Sequence, residues 1–200
     1  MHPILFEFGT YDLPGLGPTH LFLPTYGVMF AAGALAAWYW FVARARRLDL
    51  PPEPVFNLAF YTLLAGLVGA KLTLILVDLP YYIAHPAEIL GTIRSAGVLM
   101  GGVLAGAGAF WLYARRQRLP VAELCDAIAA PLALAQAIGR LGCFLAGCCY
   151  GVSSSAWCAI RFTSSAAHEQ TGVPLDTPLV PVQLIESAFD FALAAGLTIA

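Results

Sequence analysis

Charge is what this sequence has least of. Only 11% of its 200 residues are charged, against about 25% in soluble domains, and 60% are hydrophobic. That excludes a water-soluble fold, and equally a disordered chain, which needs low hydrophobicity. A formal net charge of −2 and the lack of a large basic patch exclude nucleic acid as a partner. Cysteine is sparse too: five residues make no disulfide-dense scaffold, although Cys143, Cys148, Cys149 and Cys158 crowd into one segment. The first apolar run is preceded by no basic region and followed by no clean small-residue cleavage site, so it is no signal peptide. No repeat relates the two halves, which counts against an inverted-repeat transporter.

What is present is a series of long apolar runs. A bilayer core needs about 20 mostly apolar residues per helix. Five stretches qualify: Leu21 to Val42, Val55 to Leu79, Gly97 to Tyr113, Val121 to Ile138, and Val182 to Ala200. The expected fold is an all-α, polytopic membrane bundle forming a single transmembrane domain over 1–200, with a long loop at 139–181. The last run is still apolar at Ala200, and a fragment of a longer protein is the expectation. Arg44, Arg46 and Arg47 follow the first span, and Arg115, Arg116 and Arg118 follow the third, six of the ten basic residues. The positive-inside rule puts both clusters in the cytoplasm. The N-terminus and the 80–96 and 139–181 segments then face outward.

Several residues do not suit a plain bundle. Lys71 lies inside the second span, where an ammonium costs about 2.5–3.5 kcal/mol on insertion scales. It either faces a polar interior or snorkels to the headgroups. Tyr26, in LPTYGVMF, is an interfacial anchor or a pocket residue. Gly101 and Gly102, after Met100, serve close helix packing or a ligand. The sharpest feature is GRLGCFLAGCCYG at 139–151, whose glycines and paired cysteine are expected to break the fourth span near Ile138. Arg140 at such a break is placed to fork two hydrogen bonds onto a phosphate. On the zigzag topology Tyr26, Lys71, Met100, Arg140 and Gln183 all come out in the outer half of the bilayer.

GRLGCFLAGCCYG resembles the signature of the phosphatidylglycerol–prolipoprotein diacylglyceryl transferase family, whose usual form is G-R-x-G-N-F-x-N-x-E with a glycine three positions later. The similarity extends in order through HPILF, TYGVM, GGVLAG, ARR, CDAIAAPLALAQAIGRLG and PVQLIES, nearly the whole chain. It implies transfer of the diacylglyceryl group of phosphatidylglycerol to the lipobox cysteine thiol of a preprolipoprotein, in lipoprotein biosynthesis at the bacterial inner membrane. The partners implied are phosphatidylglycerol, a signal peptide with its lipobox cysteine, and membrane lipids; no cofactor and no metal are implied. The family has seven spans, so two more and a late arginine are implied beyond these five. By the resemblance Arg140 and Tyr26 are catalytic. Arg140, Lys71, Gly101, Gly102, Gly151, Gln183 and Glu186 bind substrate.

The chain also departs from that pattern. Met100 stands where the family usually has histidine, Cys143 and Ala146 replace the signature asparagines, and Cys148 replaces the acidic residue. Lys71 stands for an arginine, Val180 for a histidine and Ile185 for a tyrosine. The anion-holding part is kept while the usual base and polar orienting groups are replaced. A lipid-headgroup-binding or assembly protein without catalysis is therefore an alternative, and an outer-face thiol-redox protein a third. In an oxidising compartment a disulfide among Cys148, Cys149 and Cys158 is the plain expectation. A thiol relay with Arg140 also stays open. A zinc site from C-x4-CC-x8-C is a further, weaker alternative, since the spacing matches no usual knuckle. Cys125 reads as a small packed side chain. His85, Glu88, His168 and Glu169 read as solvated.

Overall fold

The computed structural model describes residues 2–13, 17–86, 88–92 and 97–199. Packing divides the chain into two compact units, Met1–Phe41 with Ile128–Ala200, and Val42–Ala127.

The first unit opens with a hairpin that the apolar pattern did not reveal. Strand β1 (Ile4–Leu13) pairs antiparallel with β2 (Gly17–Pro24), with irregular register between Ile4 and Phe6 and between Glu7 and Gly9. The expected start of the first span at Leu21 is corrected: Leu21–Pro24 are strand, and helix α1 runs Thr25–Arg47. Proline cannot donate to a helical ladder, and Thr25 next to it is anchored by donating its N–H to the Pro3 carbonyl at 2.9 Å. Three arginines fill the last turn of α1, Arg44, Arg46 and Arg47, where the helix dipole favours cations.

The other half of this unit contains most of α6 (Val121–Ala146), the small cap at 147–181 and α8 (Val182–Ile199). The fourth span does not end near Ile138; α6 continues through Arg140 to Ala146. Glycine inside a helix costs only about 1 kcal/mol against alanine. A backbone group left unpaired at membrane depth costs several, so the ladder runs through Gly139 and Gly142. It stops at Gly147, whose φ of 82° suits glycine.

The 139–181 segment, expected as loop, is largely folded. Strand β3 (Ile160–Arg161) pairs antiparallel with β4 (Pro178–Leu179), and α7 (Ser165–Thr171) lies between them in sequence. Ser164 caps α7 by accepting the Ala167 N–H, and Gly172 closes it at φ 72°. Phe162, Ala167, Val173 and Leu179 form the core of this cap, with Phe144 edge-on to Phe162 at 6.2 Å. Burying Phe162 alone contributes about 1.5–3 kcal/mol.

The second unit contains α2 (Pro52–Val77), α3 (Leu79–Ala84), α4 (Glu88–Gly91) and α5 (Leu99–Arg116). Helices α2 and α5 are in backbone contact. A Cβ added at Gly101 would stand 2.9 Å from the Gly69 carbonyl oxygen, and one at Gly69 would stand 2.8 Å from that of Gly101. Small residues here let two backbones meet, the usual means of helix association in lipid.

Among the described residues four helices are long and apolar enough to cross a membrane: α1, α2, α6 and α8. Large apolar side chains such as Leu72, Leu76 and Val77 on α2 and Phe189 on α8 are exposed, as lipid-facing positions require. The third expected span overlaps α5, which is not among these four; its 18 residues include four glycines and two terminal arginines. The last expected span agrees with α8, and Ala200 lies outside the described residues.

Candidate active site

The polar centre of the first unit lies where α6 meets α8. Glutamine, glutamate, serine and aspartate recur along α8 at 183, 186, 187 and 190, three or four residues apart, so they share one face. Gln183 and Ser187 are fully buried. The Ser187 hydroxyl donates to the Ala137 carbonyl at 2.9 Å, which fixes this face of α8 against α6. One turn along, Arg140 Nε meets Glu186 Oε2 at 2.6 Å. The two side chains are 27% and 41% exposed, so the pair is neither sealed nor at an open surface. Asp190 is within electrostatic reach of both.

Helix α1 closes a third side. A Cβ on Gly142 would stand 2.8 Å from Met29 Cβ and 3.5 Å from Tyr26 Cδ2, so a larger residue there would push α1 away. Tyr26, itself half-exposed, lies within electrostatic reach of Arg140 and of Cys143, Cys148 and Cys149. At the end of α6 the Gly147 N–H reaches back to the Phe144 carbonyl at 3.3 Å and the Cys148 N–H to the Cys143 carbonyl at 3.1 Å. These bonds make a Schellman motif, which presses the residue after the terminal glycine against the one three before the cap. Here those two residues are Cys148 and Cys143. Cys149 follows with φ 58°, turning back to the same place. The three Sγ atoms lie within 4.8 Å of one another. Beyond the helix, the Cys148 thiol is pushed above its ordinary pKa, first by its hydrogen bond with the Cys143 thiol and then by burial.

The structure holds no bridge to Cys158: Cys148, Cys149 and Cys158 are all free thiols in it. The Schellman turn directs Cys148 toward Cys143 instead. Cys125 is likewise exposed rather than packed.

Gln183 and Gly151 support this end of the site. The Gln183 amide donates to the Cys148 carbonyl at 2.7 Å. Gly151 donates its N–H to the Val180 carbonyl at 3.1 Å, and a Cβ there would stand 2.8 Å from that same oxygen. Tyr26, Arg140, Gly151, Gln183 and Glu186 are thus together in one unit. Lys71, Met100, Gly101 and Gly102 belong to the other. There Lys71 Nζ donates to the Thr92 carbonyl at 2.5 Å, Met100 is exposed, and Gly101 and Gly102 pack against α2. Glu88 accepts the Tyr81 hydroxyl at 2.5 Å, and His168 Nδ1 is 2.8 Å from the Val173 carbonyl oxygen.

Asp190 is the site residue that sequence reasoning passed over. Its signal was available: an acidic residue inside an apolar span is costly unless it faces a partner. It lies one turn beyond Glu186.

Several apolar helices, with a guanidinium–carboxylate pair and thiols gathered between them, define a multi-pass membrane protein with a polar site inside its bundle. Residues 17–200 match the prolipoprotein diacylglyceryl transferase family. The chain belongs to that family of transferases. It is 34% identical over 194 residues to the phosphatidylglycerol–prolipoprotein diacylglyceryl transferase of Clostridium tetani, covering 97% of this chain and 72% of the relative. A second such transferase, from Clostridium perfringens, is 32% identical over 169 residues, 84% of this chain and 64% of its own length. That of Dehalococcoides mccartyi is 30% identical over 195 residues, covering 96% and 68%. The chain thus spans about two thirds of the length of these relatives.

Proposed function

We infer that this chain transfers the diacylglyceryl group of phosphatidylglycerol to a cysteine thiol of a prolipoprotein. The observation that carries the reading is the Arg140–Glu186 pair between two apolar helices of a chain belonging to this family. In the reaction a thiolate attacks a glycerol carbon and the phosphate leaves with an additional negative charge. A guanidinium fixed in advance stabilises that developing charge best, because it need not reorganise in the transition state. Glu186 engages Nε, and the forked terminal nitrogens remain for the phosphate oxygens. Gln183 and Gly151 hold the turn that faces this cation. Tyr26 borders the same space, on the side of α1. Lys71 serves lipid headgroups from its own unit. The acceptor is the lipobox cysteine of a signal peptide. The protein lies in the bacterial inner membrane with its N-terminus and site facing outward and the 44–47 and 115–118 arginines in the cytoplasm.

The replacements at Met100, Cys143 and Cys148 favour a second reading, a headgroup-binding protein that retains the cation without the reaction. Complementation of cells depleted of their own transferase separates the two. Growth restored by the wild-type chain but not by Arg140→Ala supports the transferase. Failure to restore growth, with phosphatidylglycerol binding retained, supports the second reading.

A further inference from the structure

We propose that Cys143, Cys148 and Cys149 form a three-thiolate site for Zn2+ whose open fourth position takes the acceptor's thiol. The second half of this inference rests on the transferase reading above.

Main-chain hydrogen bonds, not the side chains themselves, bring the sulfurs together. The Schellman turn fixes Cys148 against Cys143, and the left-handed backbone of Cys149 returns the third sulfur to within 4.8 Å of both. Three ligands at about 2.3 Å from one tetrahedral ion stand about 3.8 Å apart. Rotation of the exposed Cys149 side chain closes the remaining gap. The donors are all soft sulfurs, which suits a thiophilic cation and not Mg2+ or Ca2+. Charge distinguishes further. Three thiolates with Zn2+ sum to −1, whereas a monovalent cation would leave −2. Cys158 does not belong to the group, so among the described residues three sulfurs gather here and a fourth position stays open. An open position is the mark of reactive zinc sites, where structural ones are closed.

A second observation comes from Gln183. Its amide nitrogen holds the Cys148 carbonyl, while its Oε1 is fully buried with no hydrogen-bond partner among the described residues. A water on the fourth position would give that oxygen a donor until a thiol displaces it.

The site answers a chemical need of the reaction. A thiol of ordinary pKa near 8.5 is a weak nucleophile until deprotonated, and Met100 is no base. A thiol bound to the cation loses its proton to water on binding. Its sulfur lone pair then forms the bond to the glycerol carbon. The carbon–oxygen bond breaks with its electrons moving to phosphate, and glycerol phosphate leaves beside Arg140. Residues that replace the family's usual polar groups thus supply another route to the same thiolate.

The test uses the full chain, reduced, stripped of metal and held in detergent, with Co2+ as a spectroscopic probe. One Co2+ per chain is expected, with thiolate-to-cobalt charge-transfer absorption that Zn2+ abolishes. Cys143→Ser, Cys148→Ser and Cys149→Ser should each weaken zinc binding by more than the roughly 10–100-fold seen when a supporting partner is removed. Cys125→Ser and Cys158→Ser should bind as the parent does. A lipobox peptide added without lipid should intensify the charge-transfer band, and its Cys→Ser form should not. Failure to bind one equivalent, or binding that survives both Cys143→Ser and Cys148→Ser, overturns the site. Full diacylglyceryl transfer by metal-free protein overturns the cation's role and leaves the transferase reading intact. Metal and peptide binding as described, with no transfer to the peptide, supports the site and overturns the transferase reading.

Discussion

Glu186→Gln is the most informative substitution, because it removes a charge from Arg140 without changing shape. An ion pair at an open surface contributes about 0–1 kcal/mol, and breaking a buried one costs about 3–5. At 27% and 41% side-chain exposure and 2.6 Å, the Arg140–Glu186 pair falls between these cases, at about 1.5 kcal/mol. That corresponds to about tenfold in a rate or equilibrium constant. Two effects oppose each other. Without the carboxylate the guanidinium is less neutralised and attracts phosphate more strongly; it is also less well oriented. Binding should therefore tighten while turnover falls, so KM decreases and kcat drops about tenfold. Arg140→Lys keeps the charge and loses the planar fork, so its kcat should fall further, about a hundredfold. The two losses should not add. In the Glu186→Gln background Arg140→Lys should cost about 1.5 kcal/mol less than in the parent, since neither then has an oriented fork to lose. The assay is transfer from phosphatidylglycerol vesicles to a lipobox peptide, with kcat and KM measured separately. An unchanged kcat in Glu186→Gln, or strictly additive losses, would refute the claim that this carboxylate orients the arginine.

Gly101→Ala should lower thermal stability in detergent by about 1–3 kcal/mol, the usual cost of overpacking, because its Cβ would meet the Gly69 carbonyl at 2.9 Å. Gly108→Ala on the same helix meets nothing within 4 Å and should be neutral or stabilising, so equal losses from both would sink the packing argument. Single cysteines placed at positions 46 and 117 should resist an impermeant thiol reagent applied to intact cells, and labelling of both would reverse the proposed orientation.

Composition and periodicity determined the class of this protein. Long apolar runs in a chain with so little charge satisfy their backbone inside helices that face lipid, and α2 and α8 fall close to where those runs put them. The motif at 139–151 and PVQLIES, read through the family resemblance, also marked residues that the fold brings together, as a polar side chain in an apolar span must find a partner. Three-dimensional packing decided what remained. Local sequence favoured a helix break at Gly139, but the cost of unpaired backbone in an apolar setting outweighs that of a glycine, and α6 runs on to Gly147. Glu186 and Asp190 lie more than forty residues from Arg140 in sequence, and only the approach of α8 to α6 makes them its partners. An outward, oxidising location suggested a bridge across the loop to Cys158. The terminal turn of α6 instead bonds the Cys148 amide to the Cys143 carbonyl, and that hydrogen bond carries the sulfurs to each other.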